Sequence, residues 1–86
     1  MSGFCTAAAS AALPDTGLLS YGEVVAVGRK IHEATTAMPI IGDGDTGYGN
    51  AMNVKRTVRG FAAAGFAGAC ALQTLSLRAR VLCIGC

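Results

Sequence analysis

Residues 42–50 read Gly-Asp-Gly-Asp-Thr-Gly-Tyr-Gly-Asn (GDGDTGYGN) and follow the apolar run Met38-Pro39-Ile40-Ile41. The chain holds only five acids, and two of them, Asp43 and Asp45, stand here two residues apart among glycines. Gly42-x-Gly44-x-x-Gly47 matches the dinucleotide-binding fingerprint in spacing. That fingerprint also needs an acid about 20 residues further on to hold a ribose, and no acid follows Asp45. Aspartates at its variable positions would moreover repel a pyrophosphate. Asp43-x-Asp45 also opens like a calcium loop, which requires Gly at the sixth position and Glu at the twelfth. Tyr48 and Val54 stand there instead.

A third reading fits the surrounding pattern. Side chains two apart on a strand share a face. A strand running through the motif would therefore aim Asp43 and Asp45 together from its carboxyl end, where ligands bind in α/β sheets and barrels. Gly42 and Gly44 would face the other way and admit close helix packing. Two convergent carboxylates suit an octahedral Mg²⁺ site completed by water or substrate. Asp and Gly are also ordinary turn residues, so the residue types alone leave both a metal site and a solvated turn open.

Ser20-Tyr21-Gly22-Glu23 is a capping box. Val24, Val27, Ile31 and Ala34 follow at helical spacing, which predicts a helix from about Tyr21 to Thr35. A short helical stretch is expected through Ala7–Ala12, and Leu13–Gly17 has turn chemistry. Ile40–Asp43 reads as a strand. Asn50 or Asn53 caps a second helix with an expected stripe of Val54, Val58, Phe61 and Ala62, stopped near Gly65. Phe66–Leu72 reads as another strand, and Leu75–Cys86 alternates like a third. Helix alternating with strand predicts a parallel α/β fold.

Composition agrees with an interior piece of a larger α/β domain. Apolar residues make up 52% and charged residues 14% of the 86, against roughly 25% charged in ordinary globular chains. The net charge of +2 does not call for nucleic acid. Lys55, Arg56 and Arg59 read as one solvated helix face. No apolar run reaches the ~18 residues of a membrane span, and the N-terminus lacks a signal-peptide pattern. A cytoplasmic or organellar-stromal setting is therefore expected, with Cys5, Cys70, Cys83 and Cys86 reduced. Cys83-x-x-Cys86 is half of a zinc site at most, and His32 is expected on a surface.

The stretch Met38–Val58, with its central Asp-x-Asp-Thr-Gly-Tyr-Gly, closely resembles the isocitrate lyase/phosphoenolpyruvate mutase superfamily, of the carboxyvinyl-carboxyphosphonate phosphorylmutase or methylisocitrate lyase type. A second block, Ser2-Gly3-Phe4 followed by Leu13-Pro-Asp-Thr-Gly-Leu18, resembles it as well. The resemblance implies an α/β chain that is an incomplete segment of a (β/α)₈ TIM-type barrel. It also implies Mg²⁺-dependent enzyme chemistry on C–C or P–C bonds of small 2-oxo or 2-hydroxy acids, through a metal-stabilised enolate. By position, Asp43 is the implied direct Mg²⁺ ligand. Asp45 is implied as a second acid at the metal, and Asp15 as an active-site aspartate. Ser2, Gly3, Tyr48 and Gly49 are implied in the substrate pocket.

The family pattern breaks after residue 73. Its members end the next strand in a Leu-Glu-Asp type of motif, whereas this chain reads Ala69-Cys70-Ala71-Leu72-Gln73. Residues 1–73 are thus expected as the barrel segment and 74–86 as an unrelated tail. The family's first strand and helix are expected to lie ahead of the Met1 position. Fewer than three of the eight barrel units, about 30 residues each, are represented. Uncovered strand edges and apolar faces follow. The alternative to an active enzyme is an inactive fragment that keeps part of the Mg²⁺ site and can associate with full-length relatives.

Overall fold

The computed structural model describes residues 1–73 and 78–83. Three helices precede or separate the first two strands: α1 (Gly3–Ala11), α2 (Tyr21–Ala34), β1 (Ile41–Asp43), α3 (Ala51–Ala63), β2 (Gly68–Gln73) and β3 (Arg78–Cys83). The sheet order is β1-β2-β3.

The helix signals act as the sequence predicts. The Ser20 amide and hydroxyl donate to Glu23 Oε2 at 2.7 and 2.8 Å, and the Glu23 amide donates to Ser20 Oγ at 3.4 Å. These bonds hold the Glu23 carboxyl below its ordinary pKa, the Ser20 backbone bond contributing most. The stabilisation is present above the unfolded-state pKa and is lost as pH falls through the lower folded value. Asn50 rather than Asn53 caps α3. Its side chain accepts from the Met52 and Asn53 amides, and the Asn50 amide donates to Asn53 Oδ1. Gly65, at φ +95°, ends α3 as expected, since that conformation costs glycine little.

β1 and β2 pair in parallel, with Ile41 opposite Gly68 and Asp43 opposite Cys70. Met1 extends the same ladder on the other side of β1. Its ammonium donates to the Ile41 carbonyl at 2.6 Å, and the Asp43 amide donates to the Met1 carbonyl at 3.1 Å. One residue bonding to both neighbours of its partner is the parallel pattern. Chain order therefore runs Met1, β1, β2 across the sheet.

β3 departs from the expected all-parallel arrangement. It runs antiparallel to β2, from Gly68 opposite Cys83 to Gln73 opposite Arg78. Only residues 74–77 separate the two strands, and a parallel return needs a crossover of a dozen or more residues. The expectation of an uncovered β2 edge is corrected accordingly. Leu75, Leu77 and the Cys86 end of the CxxC lie outside the described residues.

The core joins α2, α3 and the helix-facing side of the sheet: Val24, Val25, Ile40, Phe61, Ala64, Phe66 and Ala69. Phe61 is fully buried. Phe66 precedes β2 instead of starting it, and its ring stacks on Phe61 at 4.6 Å between centroids. Gly28 and Gly42 make room for that ring. A Cβ on Gly42 would lie 2.5 Å from Phe66 Cε1, and one on Gly28 would also meet the ring. The α3 stripe differs from expectation. Thr57 is buried with Phe61, Val54 and Val58 are half-buried, and Ala62 is exposed.

Ile41 lies on the sheet face away from α2 and α3 and is 54% exposed. Lys55, Arg56 and Arg59 are exposed on α3, and the Arg56 guanidinium sits 4.7 Å from the centre of the Tyr21 ring. His32 is exposed, and Cys70 is half-buried. Among the described residues, no helix is long and apolar enough to cross a membrane.

Candidate functional site

Three loops meet at the carboxyl end of β1. The first runs from Met1 into α1, the second is the turn after α1 at Pro14–Gly17, and the third is the Gly44–Gly49 loop between β1 and α3. They enclose a cavity of about 250 Å³, lined by Gly3, Thr6, Asp15, Asp43, Asp45 and Tyr48 among others.

Asp43 is the fixed point. Its Oδ2 accepts the Gly3 amide at 3.2 Å, and its Oδ1 accepts the Asp45 amide at 3.0 Å. Each bond occupies one lone pair of an oxygen that offers about two. The Ser2 side chain makes no cap bond to α1, so the Asp43 carboxylate serves the first free amide of that helix. Anions are stabilised at such a terminus.

Gly3 stands between two acids. A Cβ there would lie 3.0 Å from both Asp15 Oδ1 and Asp43 Oδ2. Asp15 and Asp43, twenty-eight positions apart in the chain, are thus brought together across the start of α1. The expectation that strand alternation aims Asp43 and Asp45 alike is corrected. β1 ends at Asp43, and Asp45 has φ +49°, which is not an extended conformation. The two acids are brought together by a side-chain-to-backbone turn, a habit of aspartate. Gly44 also serves a different purpose from Gly42. Its amide donates to the Cys70 carbonyl at 2.6 Å, and a Cβ would press on that carbonyl at 3.1 Å.

Tyr48 closes one side of the cavity at φ +62°. Burial, then the negative charges of Asp45, Asp43 and Asp15, push its phenol pKa up to about 12. Its ring meets Tyr21 edge-on at 6.1 Å, and Tyr21 in turn faces Phe61 at 6.5 Å. An aromatic chain therefore links cavity to core. The Thr57 hydroxyl donates to the Gly47 carbonyl at 3.0 Å and is buried. Sequence reasoning overlooked Thr57 because a stripe was sought among apolar residues. Its signal was position, one helical turn before Phe61 on the same face.

Ser2 and Gly49 stand elsewhere. Ser2 is exposed and lines a second, more open hollow between α1 and α2. Gly49 lies at φ +143°, packed on Asn53, outside the cavity lining. Among the described residues, no three His, Cys, Asp or Glu side chains are gathered closely enough to hold one metal ion together. Mg²⁺ commonly takes only one or two carboxylates and keeps several waters, so hard oxygen donors at Asp43 and one neighbour fit it.

Comparison with known proteins follows the same residues. The profile of the phosphoenolpyruvate phosphomutase family matches residues 1–72. Carboxyvinyl-carboxyphosphonate phosphorylmutase from Arabidopsis thaliana is 44% identical over 68 residues, covering 79% of this chain and 20% of that protein. 2,3-Dimethylmalate lyase from Eubacterium barkeri is 48% identical over 67 residues, covering 78% of this chain and 23% of that one. A crystal structure of 2,3-dimethylmalate lyase superimposes with a TM-score of 0.76 at 32% identity, over 80% of this chain and 24% of that chain. The chain thus spans between a fifth and a quarter of the length of these relatives. It belongs to the phosphoenolpyruvate phosphomutase family, within the PEP mutase/isocitrate lyase superfamily.

Proposed function

We propose that the acid cavity binds Mg²⁺ together with a small 2-oxo or 2-hydroxy acid, as part of an enzyme acting on C–C or P–C bonds through an enolate. Asp15 from the turn after α1, and Asp43 and Asp45 from the end of β1 and the loop beyond it, open onto one cavity lined, among the described residues, by no Lys, Arg or His side chain, and this carries the reading. The names of the relatives, a phosphorylmutase and a lyase, agree with the chemical class. Asp43 would hold the metal, with Asp45 beside it. Mg²⁺, when bound, supplies Lewis-acid stabilisation of a developing oxyanion. The Tyr48 phenol stays protonated at neutral pH and is free to donate to a substrate oxygen. The Gly3 amide keeps Asp43 oriented, and Asp15 is the acid left for a proton or a bound water.

The barrel is the parent architecture in this reading. Met1, β1 and β2 wind in one direction with α2 and α3 packed on one face, which is how barrel units succeed one another. Residues 1–73 are the family segment and 74–86 an added tail. A second reading is a chain that binds ligand without turnover. It is favoured by β3, which occupies the β2 edge that a next parallel strand would need, and by Gln73 where the resemblance expects an acid. Association with a full-length relative belongs to that reading. A cytoplasmic or stromal location suits both, one relative being described as chloroplastic.

Mn²⁺ tests the metal half of the proposal. Added to the ¹⁵N-labelled chain, it is expected to broaden the Gly3 and Asp45 amide signals first. Asp43→Asn should weaken this roughly tenfold or more, since it removes the charge that pairs with the cation. Broadening confined to other residues, or unchanged in Asp43→Asn, would reject it.

A further inference from the structure

The loop that carries Tyr48 is held in an unfavourable shape. Tyr48 has φ +62° directly after Gly47 at φ +87°, and left-handed backbone is costly for an L-residue. Such geometry persists only when the surroundings impose it. Beside the packing of the Tyr48 ring on Tyr21, the contacts that impose it converge on Gly47. The Gly47 amide donates to the Gly44 carbonyl at 2.8 Å. Gly47 packs so closely on Val54 that a Cβ would collide with it. The Gly47 carbonyl receives the Thr57 hydroxyl at 3.0 Å.

Thr57 is unusual for its place. A threonine inside a helix ordinarily turns its hydroxyl back to the carbonyl four residues earlier, as Thr6 in α1 does to Ser2 at 2.7 Å. Thr57 instead reaches ten residues back, out of α3, while only 4% exposed. A buried hydroxyl without that bond would be costly, so the bond fixes the loop as firmly as the loop satisfies the hydroxyl. The carbonyl it grips belongs to the peptide that leads into Tyr48.

We propose that Thr57 is a positioning residue for the acid cavity: through the Gly47 carbonyl it holds Tyr48 over Asp43 and Asp45. The inference rests on the proposed function only for the meaning of the cavity, because the Thr57–Gly47–Tyr48 linkage exists without any ligand. Thr57→Val keeps the shape and removes the hydroxyl. Thr57→Ser keeps the hydroxyl and removes a methyl.

The first measurement is made without metal, on the chain with ¹³C-labelled tyrosine. Ring-to-ring nuclear Overhauser contacts between Tyr48 and Tyr21 are expected in the unmutated chain and in Thr57→Ser. They are expected to disappear in Thr57→Val while the β1–β2 amide signals stay in place. Retention of these contacts in a folded Thr57→Val would overturn the proposal. Should that variant not fold, the unmutated chain decides. A Thr57 hydroxyl proton protected from exchange supports the linkage, and one exchanging at the solvent rate overturns it.

The second measurement is oxalate affinity in the presence of Mg²⁺. Thr57→Val is expected to bind roughly tenfold more weakly, and no further loss is expected when it is combined with Tyr48→Phe, since both act on one group. Fully additive losses would overturn the action through Tyr48. If no variant and no parent binds oxalate, the functional reading fails, while the metal-free contacts still decide the role of Thr57.

Discussion

Phe61→Ala is expected to lower the melting midpoint of this chain by roughly 12 °C or more. Phe61 is fully buried, stacks on Phe66 and faces Tyr21. Removing such a ring costs about 3–5 kcal/mol in transfer and cavity terms. A domain of this size has roughly 5–10 kcal/mol to lose. The cavity left by the ring would lie between α2, α3 and β1, so no single element could shift to fill it. Calorimetry or circular dichroism on heating would show the lowered midpoint. Met52→Ala, at a side chain 72% exposed, should melt like the parent, within about 0.5 kcal/mol. Equal melting of Phe61→Ala and parent would mean that the aromatic stack is not the core.

Gly3→Val should weaken ligand binding at least tenfold and leave most of the fold intact. Its Cβ would stand 3.0 Å from an oxygen of Asp15 and an oxygen of Asp43. Real Cβ atoms rarely come so near, and the two further methyls of valine have only the cavity to enter. Both carboxylates must retreat, and Asp43 loses its bond from the Gly3 amide. Losing the orientation of a charged ligand group is worth about 1.5–3 kcal/mol, or at least tenfold in Mg²⁺ affinity. Stability should change less, because Gly3 is only half-buried and opens a helix at the edge of the molecule. Gly22→Ala is the matched control, since a Cβ there meets nothing nearer than 4.0 Å. Calorimetric titration with Mg²⁺ separates the two. Parent-like binding by Gly3→Val would show that the acids do not act across α1.

Much of this was legible in the residues, and the reasons are local. The Ser20–Glu23 box and the Asn50 cap announce α2 and α3 because capping is decided within four residues. Gly65 announces the end of α3 for the same reason. Strand β1 and the place of Asp43 at its carboxyl end were legible from the apolar run before a glycine-rich motif. What failed was non-local or depended on φ. Alternation could not show that β1 stops at Asp43 and that Asp45 turns left-handed. Nothing local says that residues 78–83 fold back on β2, although the short connection forbids a parallel return. Thr57 was hidden because its partner is a backbone carbonyl ten residues away. Phe66, read as the start of a strand, is a core ring whose place depends on Gly28 and Gly42, which come from two other elements.

The central claim is that the cavity between Asp15, Asp43 and Asp45 binds a divalent cation with a small acid. Thermal melting with Mg²⁺ and oxalate together, in the parent and in Asp43→Asn, tests it most directly. Ligand at about a hundredfold its dissociation constant stabilises by about 2.7 kcal/mol, which in a chain of this size raises the midpoint by roughly 10 °C or more. The account predicts such a rise for the parent, larger than with either ligand alone, and none for Asp43→Asn. A cooperative transition that neither ligand moves, or an equal rise in Asp43→Asn, would contradict it.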